Sequence, residues 1–267
     1  MLRKYSNHRT IGDNIKLGGL TAFSAGMVNV LSLIVFFAFT SNVTGHFAIF
    51  AQEISSGNWF QAAVVSIWIL LFFLGNFTSN FLIIHGNDYI GRYLSHAIPL
   101  ILEVLCLLIV GIYLQNFYTE SLHETEFLIS LLLFAMGLQN GLTASISNST
   151  VKTTHLTGLT TDLAILLSMF TKKKFRNDKS LVDKAHLLMT IMFFYVVGGV
   201  VTGLFYNFIG NSTFFIVCVV LFIIILYDYY KLSMLRFAHR KQLSVKNKFT
   251  ISVVEYEEEK KKTCNSN

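Results

Sequence analysis

The chain has 267 residues, 53% of them hydrophobic and only 13% charged, with a mean hydropathy of +0.57 and a net charge of +6. A soluble domain carries about twice that charged fraction, and the sequence repeatedly runs through apolar stretches long enough to cross a bilayer. These numbers exclude an ordinary soluble domain and indicate an integral membrane protein whose main partner is the lipid bilayer. Because the basic residues cluster beside the apolar stretches, the positive charge does not indicate a nucleic-acid partner.

Six apolar stretches predict an all-α integral membrane protein with six transmembrane helices. Residues 1–16 form a basic N-terminal segment, and the apolar run after it is too long for a cleaved signal core, so we expect that run to stay as an anchor. At 1.5 Å per residue, each stretch is long enough, with some tilt, for a hydrocarbon core of about 30 Å. Pro99 is expected in the first turn of the third span, where its missing N–H costs nothing. The predicted spans are Leu17–Phe39, Trp59–Ile84, Ala97–Leu114, Phe127–Ile146, Leu187–Ile209 and Ser212–Tyr227.

Two similar phrases follow the first and the fourth span. TSNVTGHFAIF runs from Thr40 to Phe50 after AGMVN, and TTHLTGLTTDL runs from Thr153 to Leu163 after MGLQN. This spacing predicts two three-helix repeats, at about 17–116 and 127–230. Because each repeat holds an odd number of spans, the second enters the membrane inverted, which is the architecture of many secondary transporters.

The phrases allow two interpretations. An unpaired backbone group in hydrocarbon costs several kcal/mol, so a broken helix there must face protein or a water-filled cavity; Phe47–Ile54 and Leu159–Phe170 would then be half-helices or re-entrant segments. Alternatively, the phrases are ordinary caps and turns. On the first interpretation the candidate substrate-binding residues are Asn29, Thr40, Asn42, Thr44, Gly45, His46, Gln139, Asn140, Thr153, Thr154, His155, Thr157 and Gly158.

Several polar residues fall inside apolar stretches. Asn29, Gln139 and Asn140 either bind helices together or line a pathway. Glu103 and Asp162 are candidates for proton or ion coupling; the alternatives are a neutral hydrogen-bonded glutamic acid and a plain interfacial carboxylate. The histidines and cysteines lack the clustered partners of a metal site, so we expect no metal and no cofactor.

Loop charges predict the orientation. The N-terminus, the connection between the fourth and fifth spans and the tail are basic, and they fall on one side of a six-span bundle, which the positive-inside rule places in the cytoplasm. The connection NFYTESLHETEF is acidic and falls outside. Residues 231–267 form a tail of mixed charge that we expect to be disordered and cytoplasmic. The basic residues are Arg3, Lys4, Arg9, Lys16, Lys172, Lys173, Lys174, Arg176, Lys179, Lys184, Lys231, Arg236, Arg240 and Lys241.

The segments FAMGLQNGLTASIS…VKTTHLTGLTTDLA and AGMVNVLSL…FTSNVTGHFAIFA resemble the two halves of the YoaK-like family of bacterial membrane proteins, a domain of unknown function. The resemblance extends from about Leu17 to Tyr230 and implies a multi-pass protein of the bacterial cytoplasmic membrane. This chain departs from the family pattern in its first half, because Asn29 and His46 stand where the family usually has an aspartate and an asparagine.

These observations favour a small secondary transporter or permease with a midplane solute site for an unknown small solute. The alternative is a membrane scaffold or partner subunit without a solute site, with its polar phrases packed dry. No catalytic constellation is visible, so we expect no enzyme. The oligomeric state is open, with a homo-oligomer among the partners considered.

Overall fold

The apolar stretches fold as helices in the computed structural model, which describes residues 10–227 and 229–230, except for the side chains of Asn87, Asp88 and Arg92. The predictions for residues 1–9 and for the tail 231–267 lie outside the described residues. Contacts divide the chain into two units after Ile225, and only the first helical residues of the second unit are described. The helices are α1 (Ile11–Phe36), α2 (Val43–Ser55), α3 (Trp59–Tyr89), α4 (Arg92–Asn116), α5 (Leu122–Ile146), α6 (Leu156–Met169), α7 (Lys173–Arg176), α8 (Lys179–Ile209), a 3-10 turn (Gly210–Ser212) and α9 (213–227).

Five helices among the described residues are long and apolar enough to cross a membrane. The last of them, Lys179–Tyr227, has 49 residues and contains the 3-10 turn between α8 and α9, where Gly210 has a φ of 57°. Large apolar side chains lie exposed along these helices, for example Phe73 and Phe77 on α3, where hydrocarbon would cover them. The described part of the chain is therefore all-helical, and its long helices have the length and composition of membrane spans, as the sequence predicts.

Some helix ends differ from the sequence prediction. α1 begins at Ile11, where Thr10 and Asp13 form a capping box, and it ends at Phe36 rather than Phe39. α4 begins at Arg92, so Pro99 lies inside the helix and the prediction that it falls in the first turn is wrong. A hydropathy average detects only the apolar part of a helix. Polar residues such as Ser95 extend α4 beyond that apolar part. Pro99 therefore removes one internal helix hydrogen bond.

α1 packs against α8 through a reciprocal pair of glycines. A Cβ on Gly26 would overlap the carbonyl of Tyr195, and a Cβ on Gly198 would overlap the carbonyl of Phe23. Each helix therefore presents a glycine to the backbone of the other, three residues after an aromatic residue. Small residues allow this close approach between membrane helices.

α3 and α5 pack in the same way. A Cβ on Gly75 would overlap the carbonyl of Phe134, and a Cβ on Gly137 would overlap the carbonyl of Phe72. Here again each glycine follows an aromatic residue by three positions. The first long helix of each half of the chain thus packs on the second long helix of the other half.

α4 completes the bundle by packing against α5 and α9. Gly111 faces the Phe214 side chain, and the Tyr93 hydroxyl donates to the Ile225 carbonyl at 3.0 Å. Leu107 and Leu221 are fully buried in the same core. The bundle therefore closes through ordinary apolar packing around α4, whereas α1, α3, α5 and α8 meet through glycines.

Candidate functional site

Asn29 of α1 binds the chain where it breaks after that helix. The Asn29 Oδ1 accepts the Thr40 N–H at 3.2 Å, the Thr40 hydroxyl at 3.3 Å and the Ser41 hydroxyl at 3.0 Å. Its Nδ2 donates to the Ala25 carbonyl at 3.0 Å, which fixes the orientation of the amide. Asn29 and Thr40 are both buried. One side chain thus satisfies three donors of the broken segment.

These hydrogen bonds hold the residues just before α2 against α1, well before the end of that helix. Asn29 lies seven residues before the end of α1, which is about 10 Å along the helix. The chain must therefore turn back along α1 at Phe37, where the backbone is left-handed with a φ of 55°. Asn42 then caps α2 by accepting the Gly45 N–H at 3.1 Å. The sequence phrase that begins at Thr40 thus provides the N-cap of α2, and this cap lies well short of the end of α1.

Asn140 of α5 makes the matching contact in the second half. Its Oδ1 accepts the Thr154 hydroxyl at 3.3 Å, and its Nδ2 donates to the Asn76 Oδ1 at 3.4 Å. Asn140 lies six residues before the end of α5, or about 9 Å. α6 therefore also begins well short of the end of the long helix that precedes it, α5. Its N-cap, His155, makes no capping side-chain bond.

Gln139 connects the two halves at the contact between α1 and α5. Its Nε2 donates to the Ser24 hydroxyl at 2.5 Å, and both side chains are fully buried. The Gln139 Oε1 is buried without a hydrogen-bond partner, and so is the Thr153 hydroxyl. Buried polar groups are usually paired, so this region of the bundle retains unused hydrogen-bonding capacity.

The first break is the connection between α1 and α2, residues 37–42. A first cavity, of about 460 Å³, lies beside it. It is lined by residues of the connection after α1, of α2, of α3 and of the start of α5. Asn42, Gly45 and His46 among the predicted site residues line it, and so do Trp68 and Glu126. The His46 Nε2 lies 2.9 Å from the Phe39 carbonyl. Three of the predicted residues therefore line this cavity, whereas Asn29, Thr40 and Thr44 do not.

The second break is the connection between α5 and α6, residues 147–155. A second cavity, also of about 460 Å³, lies beside it. His155, Gly158 and Asp162 line it, together with Lys152 and Lys184. Asp162 forms an ion pair with the Lys184 ammonium at 3.0 Å, and both side chains are about half exposed. Asp162 is therefore a rim carboxylate with a basic partner rather than a buried one.

The other predicted residues lie apart from the cavities. Thr44 and Thr157 are exposed in the first turns of α2 and α6 and line neither cavity. Glu103 is fully buried on α4, and neither of its oxygens has a hydrogen-bond partner among the described residues; it also lines neither cavity. It lies near the thiols of Cys106 and Cys218, between α4 and α9. The structure thus separates Glu103 from the two breaks.

Sequence reasoning missed Trp68, Glu126 and Lys184. The indole of Trp68 lies mid-span, where its N–H needs a partner, and Glu126 stands at the apolar edge of the fourth predicted span. The sequence alone could therefore have indicated Trp68 and Glu126 as polar groups in need of a partner. Their meeting with His46 depends on packing between α2, α3 and α5, which the sequence does not disclose.

A family model described as a protein of unknown function (DUF1275) matches residues 17–227 of the chain. The match covers the described bundle, including both breaks and both cavities. No curated protein and no solved structure matches the chain.

Proposed function

Since the chain belongs to the DUF1275 family, which is the YoaK-like family that its motifs resemble and which carries no assigned function, we propose that it is a small secondary transporter of the cytoplasmic membrane. One observation carries the proposal. Asn29 accepts the Ser41 hydroxyl and Asn140 accepts the Thr154 hydroxyl, so each half of the chain holds a broken segment by the same contact. Paired breaks of this kind frame the solute sites of many secondary transporters.

The helix packing supports an inverted repeat of six spans. Exchanging the two halves converts the α1–α8 contact into the α5–α3 contact, and both contacts use an aromatic residue followed three positions later by glycine. The 49 residues of Lys179–Tyr227 would extend about 74 Å as one helix, more than twice the hydrocarbon thickness. We therefore propose that α8 and α9 are separate spans joined at the 3-10 turn.

The two cavities support alternating access. Each reaches the first turn of a half-helix, at Gly45 in one half and at Gly158 in the other. In an inverted repeat, equivalent cavities open toward opposite faces of the membrane. The second cavity contains Lys152 and precedes the basic segment around α7, so the positive-inside rule assigns it, with both termini, to the cytoplasm.

In this mechanism, Asn29, Gln139 and Asn140 would hold the breaks near the midplane and exchange protein contacts for solute contacts. The rim pair of Asp162 and Lys184 would open when the second cavity admits solute or an ion. Glu103, which is buried without a partner, would serve as a protonation site on α4. The lipid bilayer is the partner of the exposed apolar faces.

A membrane scaffold or partner subunit is the second candidate. It is favoured by the observation that the oxygens of Asn29 and Asn140 already bind protein donors, as they would if the breaks were purely structural. In that case the two cavities would be surface depressions that never communicate.

Coupled accessibility of the two breaks tests the transporter without knowledge of its solute. Asn42→Cys and His155→Cys are introduced singly and together in a chain whose own three cysteines are replaced, after thermal unfolding shows that the fold is kept. A membrane-impermeant thiol reagent is added from one side of oriented vesicles. We expect modification of Asn42→Cys with a bulky reagent to change the reactivity of His155→Cys from the other side. Independent reactivities would overturn the transporter and favour the scaffold.

A further inference from the structure

Three residues that line the first cavity each carry one buried polar atom that has no hydrogen-bond partner among the described residues. These atoms are the His46 Nδ1, the Trp68 Nε1 and the Glu126 Oε1, from α2, α3 and α5. The three residues are only 4%, 9% and 9% exposed. Leaving a buried polar group unpaired is unfavourable, so three such residues around one space favour a ligand that could pair with them.

The hydrogen-bonding character of each atom can be assigned. The His46 Nε2 faces the Phe39 carbonyl at 2.9 Å; a carbonyl only accepts, so the Nε2 carries the hydrogen and the Nδ1 of the neutral ring is an acceptor. The Glu126 carboxylate is also an acceptor, whereas the Trp68 indole only donates. The His46 and Trp68 rings meet edge to face at 5.5 Å, which holds both in place. The residues around the cavity thus carry two unpaired acceptors and one unpaired donor.

The charge of the lining favours a cation. Glu53 and Glu126 line the cavity, and neither lysine nor arginine is among the lining residues that the structure describes. The other Glu126 oxygen lies 3.9 Å from His123, whose side chain is 82% exposed. Phe36, Phe37 and Phe39 add aromatic surface, which attracts cations.

We propose that the first cavity binds a small primary amine that also carries a hydrogen-bond acceptor. An ammonium group has three N–H donors, enough to satisfy the His46 Nδ1 and the Glu126 Oε1 together. The Trp68 N–H then donates to a hydroxyl or carbonyl of the same ligand. A quaternary amine has the charge but no N–H, so it leaves both acceptors unpaired.

The second cavity does not share this chemistry. Lys152 and Lys184 line it, and Asp162, the one carboxylate among its described lining residues, is already paired with Lys184. The preference for an amine is therefore confined to the first break. This inference rests on the proposed function, because it names the substrate class at one of the two breaks.

Binding of three matched compounds to the full chain in nanodiscs tests the inference. Tyramine carries a primary amine and a phenolic hydroxyl; its N-trimethyl derivative keeps the charge but has no N–H; 4-ethylphenol lacks the amine. With empty nanodiscs subtracted, we expect the two analogues to bind at least about tenfold more weakly than tyramine, because each leaves site groups unpaired. Equal binding of all three, or tyramine binding no stronger than to empty nanodiscs, would overturn the inference.

Two variants assign the contacts. Glu126→Gln should weaken tyramine about tenfold or more, whereas Glu120→Gln, the same change at an exposed neighbour outside the cavity, should not. Trp68→Phe should weaken tyramine but not 2-phenylethylamine, which has no hydroxyl for the indole to bind. If Glu126→Gln does not fold, the binding data for Trp68→Phe decide whether the site exists. Equal weakening of tyramine and of 2-phenylethylamine by Trp68→Phe would contradict the site.

The two proposals fail separately. Amine binding without coupled accessibility of the breaks would keep this site and remove the transporter. Coupled accessibility without amine binding would keep the transporter and assign it another class of solute.

Discussion

Asn29 is the residue on which the first break depends most directly. Its single oxygen serves a buried backbone N–H and two hydroxyls, and the hydrocarbon around the bundle offers those donors no water. At the second break the Asn140 Oδ1 accepts one hydroxyl, that of Thr154, and its Nδ2 donates to Asn76. The two halves therefore use the same contact, and among the described residues the asparagine oxygen accepts fewer hydrogen bonds at the second break than at the first.

We expect Asn29→Ala to lower the free energy of unfolding by about 1–3 kcal/mol, because it leaves the buried Thr40 N–H unpaired. Asn29→Asp should lose less stability than Asn29→Ala, since a neutral carboxylic acid retains the acceptor and its O–H can donate to the Ala25 carbonyl. Asn116→Ala is the matched control: Asn116 is exposed and also bonds a carbonyl four residues earlier, at Ile112. Thermal unfolding in detergent measures all three. Equal losses for Asn29→Ala and Asn116→Ala would contradict the role of Asn29.

Glu103 supports a second prediction at this scale. An ionised carboxylate buried without a partner costs several kcal/mol, so Glu103 in this fold is a neutral acid, and Glu103→Gln should change the stability little. Glu103→Ala should cost about 2 kcal/mol or more, because it leaves a void beside Cys106 and Cys218. A large loss in the glutamine variant would show instead that the carboxylate is charged and paired.

At the scale of elements, the helices divide into a glycine-packed set and an apolar-packed set. α1 with α8 and α3 with α5 approach until glycine meets a backbone carbonyl, whereas α4 meets its neighbours through side chains. Short α2 and α6 add few buried side chains of their own, namely His46 in α2 and Leu159 and Leu166 in α6. α2 and α6 are thus anchored in the bundle by few buried side chains.

Alanine at two helical glycines distinguishes these environments. Gly137→Ala should destabilise the protein by about 1–3 kcal/mol or more, because its Cβ would overlap the Phe72 carbonyl. Gly203→Ala meets no atom within 4 Å and should be neutral, or stabilising by up to about 1 kcal/mol. Detergent unfolding of both variants checks this. Similar destabilisation by both would argue against the close contact of α3 and α5.

Much of this arrangement could be predicted from the sequence. Local patterns are sufficient to predict the helical class and the start of α3 at Trp59. They also identify Asn29 and Asn140 as polar residues with bonding partners or a pathway to line. The ends of α1 and α4 could not be predicted, because hydropathy measures the apolar run and not the helix. The grouping of His46, Trp68 and Glu126 was also out of reach, since it arises from packing among three helices of both halves.

At the scale of the whole molecule, five helices of the described chain have the length and composition of membrane spans, and the last of them contains a turn near its middle. Whether that helix crosses once or twice decides on which side α9 ends. The proposed six-span topology places the connection around Glu120 and the turn at Asn211 outside, with the basic segment around Lys174 in the cytoplasm.

Side-specific labelling tests this topology. In the cysteine-free chain, Glu120→Cys and Asn211→Cys should react with an impermeant thiol reagent added outside, and Lys174→Cys only after the cytoplasmic face is opened. All three positions are at or beside helix ends that the structure describes. Labelling of Asn211→Cys from the same side as Lys174→Cys would remove the sixth span.

The reciprocal glycine contacts also have a consequence for how the protein is made. α1 is the first long helix of the chain, yet the helix that meets its glycine, α8, begins only at Lys179, beyond the middle of the sequence. During synthesis, α1 must therefore wait in the membrane without its partner until most of the chain has been inserted. α3 has a shorter wait, because α5 begins at Leu122. The order in which these contacts become available predicts that α3 and α5 assemble first and that α1 is locked in place only when α8 arrives, so neither half forms a finished module alone.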